Sequence, residues 1–252
     1  MAANIVGAMS NQFSRRQALA TFGSVSLGAL LAACGSDGGD GPADVATTDG
    51  RTTTVEPRSR SGAATAELFD DSSSCTLAVE QTEGPYYFDA DSIRRDIRED
   101  REGTRLRLAV RVRDAGSCEP LENAVVDVWH CDALGVYSGF EEGQGERFLR
   151  GTQVANGDGI VEFVTVYPGW YQGRTTHIHA RVHVDNRSVL TTQFYFDEEV
   201  TERVYARSPY SSRSGRDTFN DGDGIFDERL LLDLSRDGDG YVGAVSLDVR
   251  SA

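Results

Sequence analysis

LRLAVRV, residues 106–112, alternates apolar side chains with arginine and alanine, a period of two that is typical of a β-strand with one buried face. Five further runs have strand character, at 124–129, 160–166, 177–184, 190–196 and 241–249. Turn-forming residues separate several of these runs, as at 114–117 and 156–159. The best candidate for a helix is short, at 199–206. The pattern predicts an all-β fold, an antiparallel β-sandwich with little helix.

The charge of the chain excludes some classes of partner. The formal net charge is −15 over 252 residues. Such a surface repels the phosphates of nucleic acids and the headgroups of anionic lipids. We therefore expect no nucleic-acid partner and no electrostatic docking on a membrane.

Residues 1–34 are typical of an export signal. Arg15 and Arg16 precede a mildly apolar run at 18–33 that is too rich in Gly and Ala for a membrane span. The paired arginines resemble a twin-arginine signal, and LAAC at 31–34 resembles a bacterial lipobox. We expect an exported protein whose only membrane contact is a lipid on Cys34. The alternative is an ordinary cleaved signal in which Cys34 has no role.

The rest of the chain divides into two regions by composition. Residues 35–74 are rich in Gly, Ser, Thr and Asp, a composition that predicts a flexible polar tether. Residues 75–252 contain the predicted strands and form the folded domain.

A pair of histidines marks the candidate site. His177 and His179 are two apart on a predicted strand, so both imidazoles project from one face while Ile178 faces the core. Tyr171 lies just upstream, and Tyr137 follows the second strand. Phenolate is a hard anionic ligand and imidazole suits iron, so two of each favour Fe(III) over Fe(II).

Four motifs carry a resemblance to a known family. PGWY at 168–171, followed by RTTHIH at 174–179, resembles the core motif of the intradiol ring-cleavage dioxygenases, which include catechol, hydroxyquinol and protocatechuate dioxygenases. The other motifs are VDVWH at 126–130 with GVYS at 135–138, EQTEGPYY at 80–87, and TQFYF at 192–196. All four occur in the family's order and span most of the predicted domain.

The resemblance implies roles for individual residues. The implied iron ligands are Tyr137, Tyr171, His177 and His179. Arg174 matches the family's active-site arginine, which can stabilise negative charge on substrate and oxygen. Gln193 matches a position near the bound substrate, and Thr82, Pro85 and Tyr86 match one wall of the cavity. Tyr171 is counted as catalytic as well, since a tyrosinate ligand can accept a substrate proton.

The implied activity is that of a non-haem Fe(III) dioxygenase. It would cleave a catechol-type ring between the two hydroxylated carbons with O2 and give a cis,cis-muconate-type product. One alternative is a zinc hydrolase that uses the histidine pair, and another is an Fe(II) enzyme with a carboxylate from Asp132 or Asp185. A third is a non-catalytic exported module that binds aromatics or a polymer. The sequence leaves open the particular catechol and whether the chain forms a homo-oligomer.

Other polar residues have structural interpretations. We expect His130 to pack in or beside the core and His183 to be peripheral. The stretches DGDG at 221–224 and 237–240 are interpreted as turns. Export favours a disulfide from Cys75 to either Cys118 or Cys131, and the sequence does not decide between them.

Overall fold

The computed structural model describes residues 43–46, 52–55, 63–69, 75–88, 90, 92–185 and 187–250. In chain order, strands β1 to β10 are Ala43–Ala46, Thr52–Val55, Arg105–Asp114, Val125–Trp129, Arg150–Val154, Ile160–Val166, His177–Val184, Arg187–Tyr195, Asp233–Asp237 and Gly240–Val249. Helix α1 is Ala63–Ala66 and helix α2 is Glu198–Tyr205. In this part of the chain, no helix is long and apolar enough to span a membrane.

Two four-stranded sheets form the sandwich, one in the order β6-β3-β10-β9 and the other in the order β5-β4-β7-β8. Neighbouring strands are antiparallel except β3 and β10, which run parallel. The predicted all-β sandwich is therefore confirmed, with one parallel pair inside it. All six predicted strands are present, and the predicted helix corresponds to α2.

Four strands were not predicted: β1 and β2, which pair with each other inside the predicted tether, and β5 and β9 of the sandwich. Strand β5 reads RGTQV and lacks apolar alternation, and its Gly151 is required because a Cβ there would lie 2.5 Å from the Ile97 side chain. Strand β9 reads DLSRD and forms the polar edge of its sheet. Short polar edge strands protect a sheet from pairing with other chains, and they have little hydrophobic signal.

The core lies between the two sheets. From β3, the alternating residues Leu106, Leu108, Val110 and Val112 are fully buried, as the period of two predicts. The second sheet contributes Ile178 from β7 to the same cluster. The side chains of β7 on either side of Ile178 therefore lie on the outer face of the second sheet, where loops cover them.

A disulfide fastens the start of the domain. Cys75 is bonded to Cys118, which decides between the two pairings that the sequence left open, while Cys131 is free and buried. Upstream, Phe69 packs on the first sheet and Thr65 donates a hydrogen bond to Glu162. These two residues fall within the predicted tether, so part of that segment contacts the domain. The predicted signal at 1–34, with Cys34, lies outside the described residues.

Candidate metal centre

His177 and His179 lie on the outer face of β7, and each is no more than 2% exposed. Burial lowers the pKa of His177 to about 3, with the charge of Arg174 as a further cause, so the ring is neutral. Its Nδ1 lies 2.7 Å from the Thr175 carbonyl, which can only accept a hydrogen bond. The proton is therefore on Nδ1, and Nε2 keeps a free lone pair. Burial likewise lowers the pKa of His179 well below its ordinary value.

The two predicted tyrosines lie against these histidines. Tyr171 Oη is 3.0 Å from His177 Nε2, and His177 Nε2 is 3.1 Å from His179 Nε2. The ring centroid of Tyr137 is 5.6 Å from that of Tyr171 and 6.2 Å from that of His179. The structure thus brings together the four side chains that the sequence singled out.

This group of atoms fits a metal ion. Donor atoms that bind one ion at roughly 2.1 Å and at right angles lie about 3 Å apart, the spacing found here. Tyr137 Oη is buried and makes no hydrogen bond within the described residues. Such an orphaned polar atom is costly unless a further partner binds it. Two phenol oxygens and two imidazole nitrogens suit iron.

Carboxylates do not complete this group. Among the described residues, no three His, Cys, Asp or Glu side chains are grouped so as to hold a metal ion. Asp132 instead accepts the backbone N–H groups of Leu134 and Val136. Asp185 lies just after β7, where the chain turns toward β8. The donor set therefore argues against the zinc and Fe(II) alternatives, which need such a third ligand.

The remaining histidines have structural partners, as predicted. His130 is buried, with Nδ1 2.7 Å from the Cys131 carbonyl and Nε2 2.7 Å from Thr165 Oγ1. His183 Nε2 lies 3.0 Å from a carboxylate oxygen of Asp127.

Strand register lines up further residues beside the histidines. Trp129 on β4 and Gln193 on β8 both lie opposite His179. The Trp129 and His179 rings are stacked, with centroids 4.9 Å apart and planes 6° from parallel. The sequence analysis missed this contact, because cross-strand register is invisible in a local pattern.

The segment at 82–86 passes over the histidines. Gly84 has φ +70°, and a Cβ there would lie 3.2 Å from His179 Cε1, so this close passage favours glycine. Of the predicted wall residues, Tyr86 stacks on Tyr137 at 4.4 Å, and the Thr82 carbonyl accepts a hydrogen bond from Gln193 Nε2 at 2.9 Å. Pro85, between them, is exposed.

Arg174 and Gln193, which the resemblance placed near the bound substrate, are hydrogen-bonded to each other. Arg174 Nη2 donates to Gln193 Oε1 at 2.5 Å, and Arg174 Nε donates to Asp223 Oδ2 at 2.8 Å. Burial alone would raise the pKa of Asp223, but hydrogen bonds from Thr175 N–H, Ile225 N–H and Arg174 leave it below its ordinary value. The stretch 221–224, which was predicted as a turn, is irregular and contains part of a single turn of 3₁₀ helix at Asn220–Gly222. The hydrogen bond from Arg174 to Asp223 was not predicted from the sequence.

A second buried arginine supports the tyrosine loop. Arg150 is 2% exposed and donates to the hydroxyl and carbonyl oxygens of Ser138. Its guanidinium lies 4.1 Å from the Phe88 ring centroid and 6.0 Å from that of Tyr137. Burial lowers the pKa of Arg150 to about 10, so the group stays cationic at neutral pH. The sequence analysis did not identify this residue.

A cleft of about 440 Å³ opens beside the centre. Its walls are apolar at Tyr86, Tyr137, Val136, Leu134 and Phe140 and charged at Glu141, Glu142 and Arg213. The two histidines, Tyr171, Arg174 and Gln193 are not among its lining residues. Pockets of this size accommodate small organic ligands. Of the four candidate metal ligands, Tyr137 lines the cleft.

Comparisons with known proteins identify the family of this chain. Residues 82–206 match the model of a protein family described as Dioxygenase. An intradiol ring-cleavage dioxygenase structure from Tetranychus urticae is 35% identical, with 70% of this chain and 95% of that chain covered and a TM-score of 0.67. The dioxygenase domain of a carbohydrate-binding fusion from Streptomyces sp. SirexAA-E is 30% identical, covering 70% and 100% of the two chains at a TM-score of 0.56.

A curated relative also matches. Chlorocatechol 1,2-dioxygenase from Rhodococcus opacus is 34% identical over 121 residues, which are 40% of this chain and 47% of the relative. The match thus spans about half the length of that relative. With a solved dioxygenase at 35% identity matched over 95% of its length, the chain belongs to the intradiol ring-cleavage dioxygenase family.

Proposed function

We propose that this protein is an Fe(III) dioxygenase that cleaves catechol-type rings between the two hydroxylated carbons. The observation that carries the proposal is the convergence of two tyrosines and two neutral histidines, with no carboxylate completing the group among the residues that the structure describes. The names of the relatives, catechol and chlorocatechol 1,2-dioxygenase, support catechols as the substrate class.

The four side chains would hold iron, with Nε2 of His177 already deprotonated and its Nδ1–H bonded to Thr175. When bound, a ferric ion supplies Lewis acidity that favours the ionised catechol and withdraws electron density from its ring. In this scheme both atoms of O2 enter the product, a muconate, so the balanced reaction needs no reductant.

Tyr171 is our candidate for accepting a proton from a substrate hydroxyl. Burial raises its pKa to about 12 in the metal-free protein, while the nearby charge of Arg174 acts in the opposite direction. Tyr171 is also less buried than Tyr137, which is 4% exposed. A tyrosinate at this position would be a strong base within reach of a bound phenol.

Arg174 and Gln193 would bind the reacting groups. Gln193 lies opposite His179 and is bonded to Arg174, whose charge acts on Tyr171 and His177. Arg174 keeps a positive charge in a half-buried setting. A fixed cation stabilises the negative charge that develops on the ring and on oxygen. We expect Arg174→Ala to keep iron and lose turnover by about 10²-fold or more.

The test is catechol turnover with product identification and metal analysis. We expect a coloured iron protein, oxygen uptake of one O2 per catechol, and a colourless muconate-type product without added Fe(II) or reductant. A yellow semialdehyde, or activity that appears only with added Fe(II), would contradict the ligand set. A colourless protein with full iron occupancy would contradict the tyrosinate ligands.

We also propose that the protein is exported and anchored by lipid at Cys34. The support is the sequence alone, Arg15 and Arg16 followed by LAAC at 31–34. Cys34→Ser should release the protein from the membrane fraction or block processing at that position. Equal solubility and processing of both forms would refute the anchor.

A further inference from the structure

The loop at 219–226 reaches the centre through one buried carboxylate. The Asp223 side chain is 2% exposed. Its Oδ2 accepts from Arg174 Nε at 2.8 Å and from the Thr175 N–H at 2.9 Å, and its Oδ1 accepts from the Ile225 N–H at 3.1 Å. A carboxylate with three donors has little freedom to rotate, so its position is fixed by the backbone on both sides.

These contacts determine how Arg174 is oriented. Nε is bonded to Asp223 and Nη2 to Gln193 Oε1, the guanidinium also interacts with the Tyr195 hydroxyl, and Nη1 has no hydrogen bond of ordinary length within the described part of the chain. Because the guanidinium is planar, fixing two nitrogens fixes the direction of the third. Gln193 is itself held by the Thr82 carbonyl, which accepts from its Nε2.

We propose that Asp223 is a positioning residue, which aligns Arg174 so that Nη1 is the nitrogen offered to the substrate. This inference rests on the function proposed above. Asp223 also offsets the charge of Arg174, so the arginine acts as a directed hydrogen-bond donor more than as a general attractor of anions.

The loop has anchors that do not depend on Asp223. Asn220 donates through Nδ2 to the Phe196 carbonyl at 2.8 Å, and its N–H donates to Glu198 at 2.7 Å. The Ile225 carbonyl accepts from Gln81 Nε2 at 2.8 Å and from Tyr195 Oη at 3.1 Å. A variant at Asp223 can therefore lose the alignment of Arg174 while the loop stays in place.

The test is a double-mutant cycle with Asp223→Asn and Arg174→Ala, read out by catechol turnover and by the dissociation constant of 4-nitrocatechol. Asp223→Asn removes the anion and replaces one acceptor with a donor. Asp221→Asn is the matched control, since Asp221 is exposed in the same loop. Arg174→Lys is a second variant that keeps the charge and loses the planar guanidinium with its fixed donor directions. Iron content and thermal unfolding are measured for every protein.

We expect Asp223→Asn to keep iron and lower kcat about 10- to 100-fold, with a much smaller change in KM. Arg174→Lys should lose a similar factor, and Asp221→Asn should match the wild type. Adding Asp223→Asn to Arg174→Ala should cause no further loss, because the carboxylate acts only through the arginine.

Wild-type turnover in Asp223→Asn, or losses that multiply in the double variant, would overturn the proposal. If Asp223→Asn fails to fold, an Arg174→Lys enzyme with full turnover would overturn it, and one with the expected loss would support it. If the wild type cleaves no catechol, the proposed function fails. The positioning role is then decided by whether the two substitutions weaken 4-nitrocatechol binding non-additively.

Discussion

The indole of Trp129 lies flat against the imidazole of His179, 4.9 Å away and 6° from parallel. This contact restrains the ring of a proposed iron ligand, so Trp129→Leu should weaken iron binding about tenfold. Iron retention during titration with a chelator measures the effect. Trp129→Phe keeps a flat ring and serves as the control, expected to bind iron nearly as well as the wild type. If Trp129→Leu binds iron as tightly as the wild type, the role of Trp129 is packing alone.

Tyr137→Phe should separate stability from metal binding. Tyr137 Oη is buried and has no hydrogen bond of ordinary length among the described residues, although it interacts with the Tyr171 hydroxyl. Its removal should therefore leave the metal-free protein equally stable or about 1 kcal/mol more stable. In Tyr171→Phe, the hydrogen bond to His177 is lost, so the metal-free protein should lose about 1 kcal/mol. Denaturant unfolding of the metal-free variants measures both. Each variant should also weaken or shift the visible band of the iron form, and an unchanged band would exclude that tyrosine as a ligand.

Acid should destabilise the protein through His130. Burial lowers its pKa from 6.5 to about 4, so the unfolded chain binds the proton more readily than the folded one. The contribution of neutral His130 to the unfolding free energy is fully present above pH 6.5 and is lost as the pH falls to 4. By pH 5 the loss is about 2 kcal/mol. His130→Gln should flatten the dependence of the unfolding free energy on pH in this window. An unchanged slope would mean that His130 titrates normally in the fold.

The disulfide should contribute to stability without contributing to catalysis. Cys75 and Cys118 are 43 residues apart, and closing a loop of this length stabilises a fold by about 4 kcal/mol in the chain-entropy model. Cys118→Ser should lower the unfolding free energy by about 2–4 kcal/mol and leave kcat near the wild-type value. Chemical denaturation and oxygen uptake check the two parts. A large loss of kcat would show that the bond also holds the segment at 82–86 in place.

The sequence predicted those strands and site residues that a local pattern encodes. Alternation and β-rich composition identified the five longest strands of the two sheets and also β4, and the spacing of His177 and His179 put both imidazoles on one face. Motif resemblance then assigned both Tyr137 and Tyr171 as ligands. Tyr171 lies just upstream of the histidine pair, whereas Tyr137 is distant in sequence and meets the pair only in the fold.

What escaped prediction depends on tertiary contacts. Asp223 belongs to a DGDG stretch with the same letters as the one at 237–240, and only its burial against Arg174 distinguishes it. The disulfide partner of Cys75 depends on which turn lies beside the start of the domain. Strand β5 has no apolar repeat, and its pairing with β4 is visible only in the fold.

The parallel pairing of β3 and β10 has a consequence for how the protein is made. Arg111 on β3 lies opposite Ser246 on β10, 135 residues later in the chain. During synthesis, every strand that carries the metal centre leaves the ribosome before β10 can occupy its place between β3 and β9. The strands of the second sheet are therefore available to pair with one another while the first sheet is still incomplete. Pairing between strands so far apart in the chain slows folding. Until β10 pairs with β3, the edge of β3 has unpaired backbone groups that can pair with other chains.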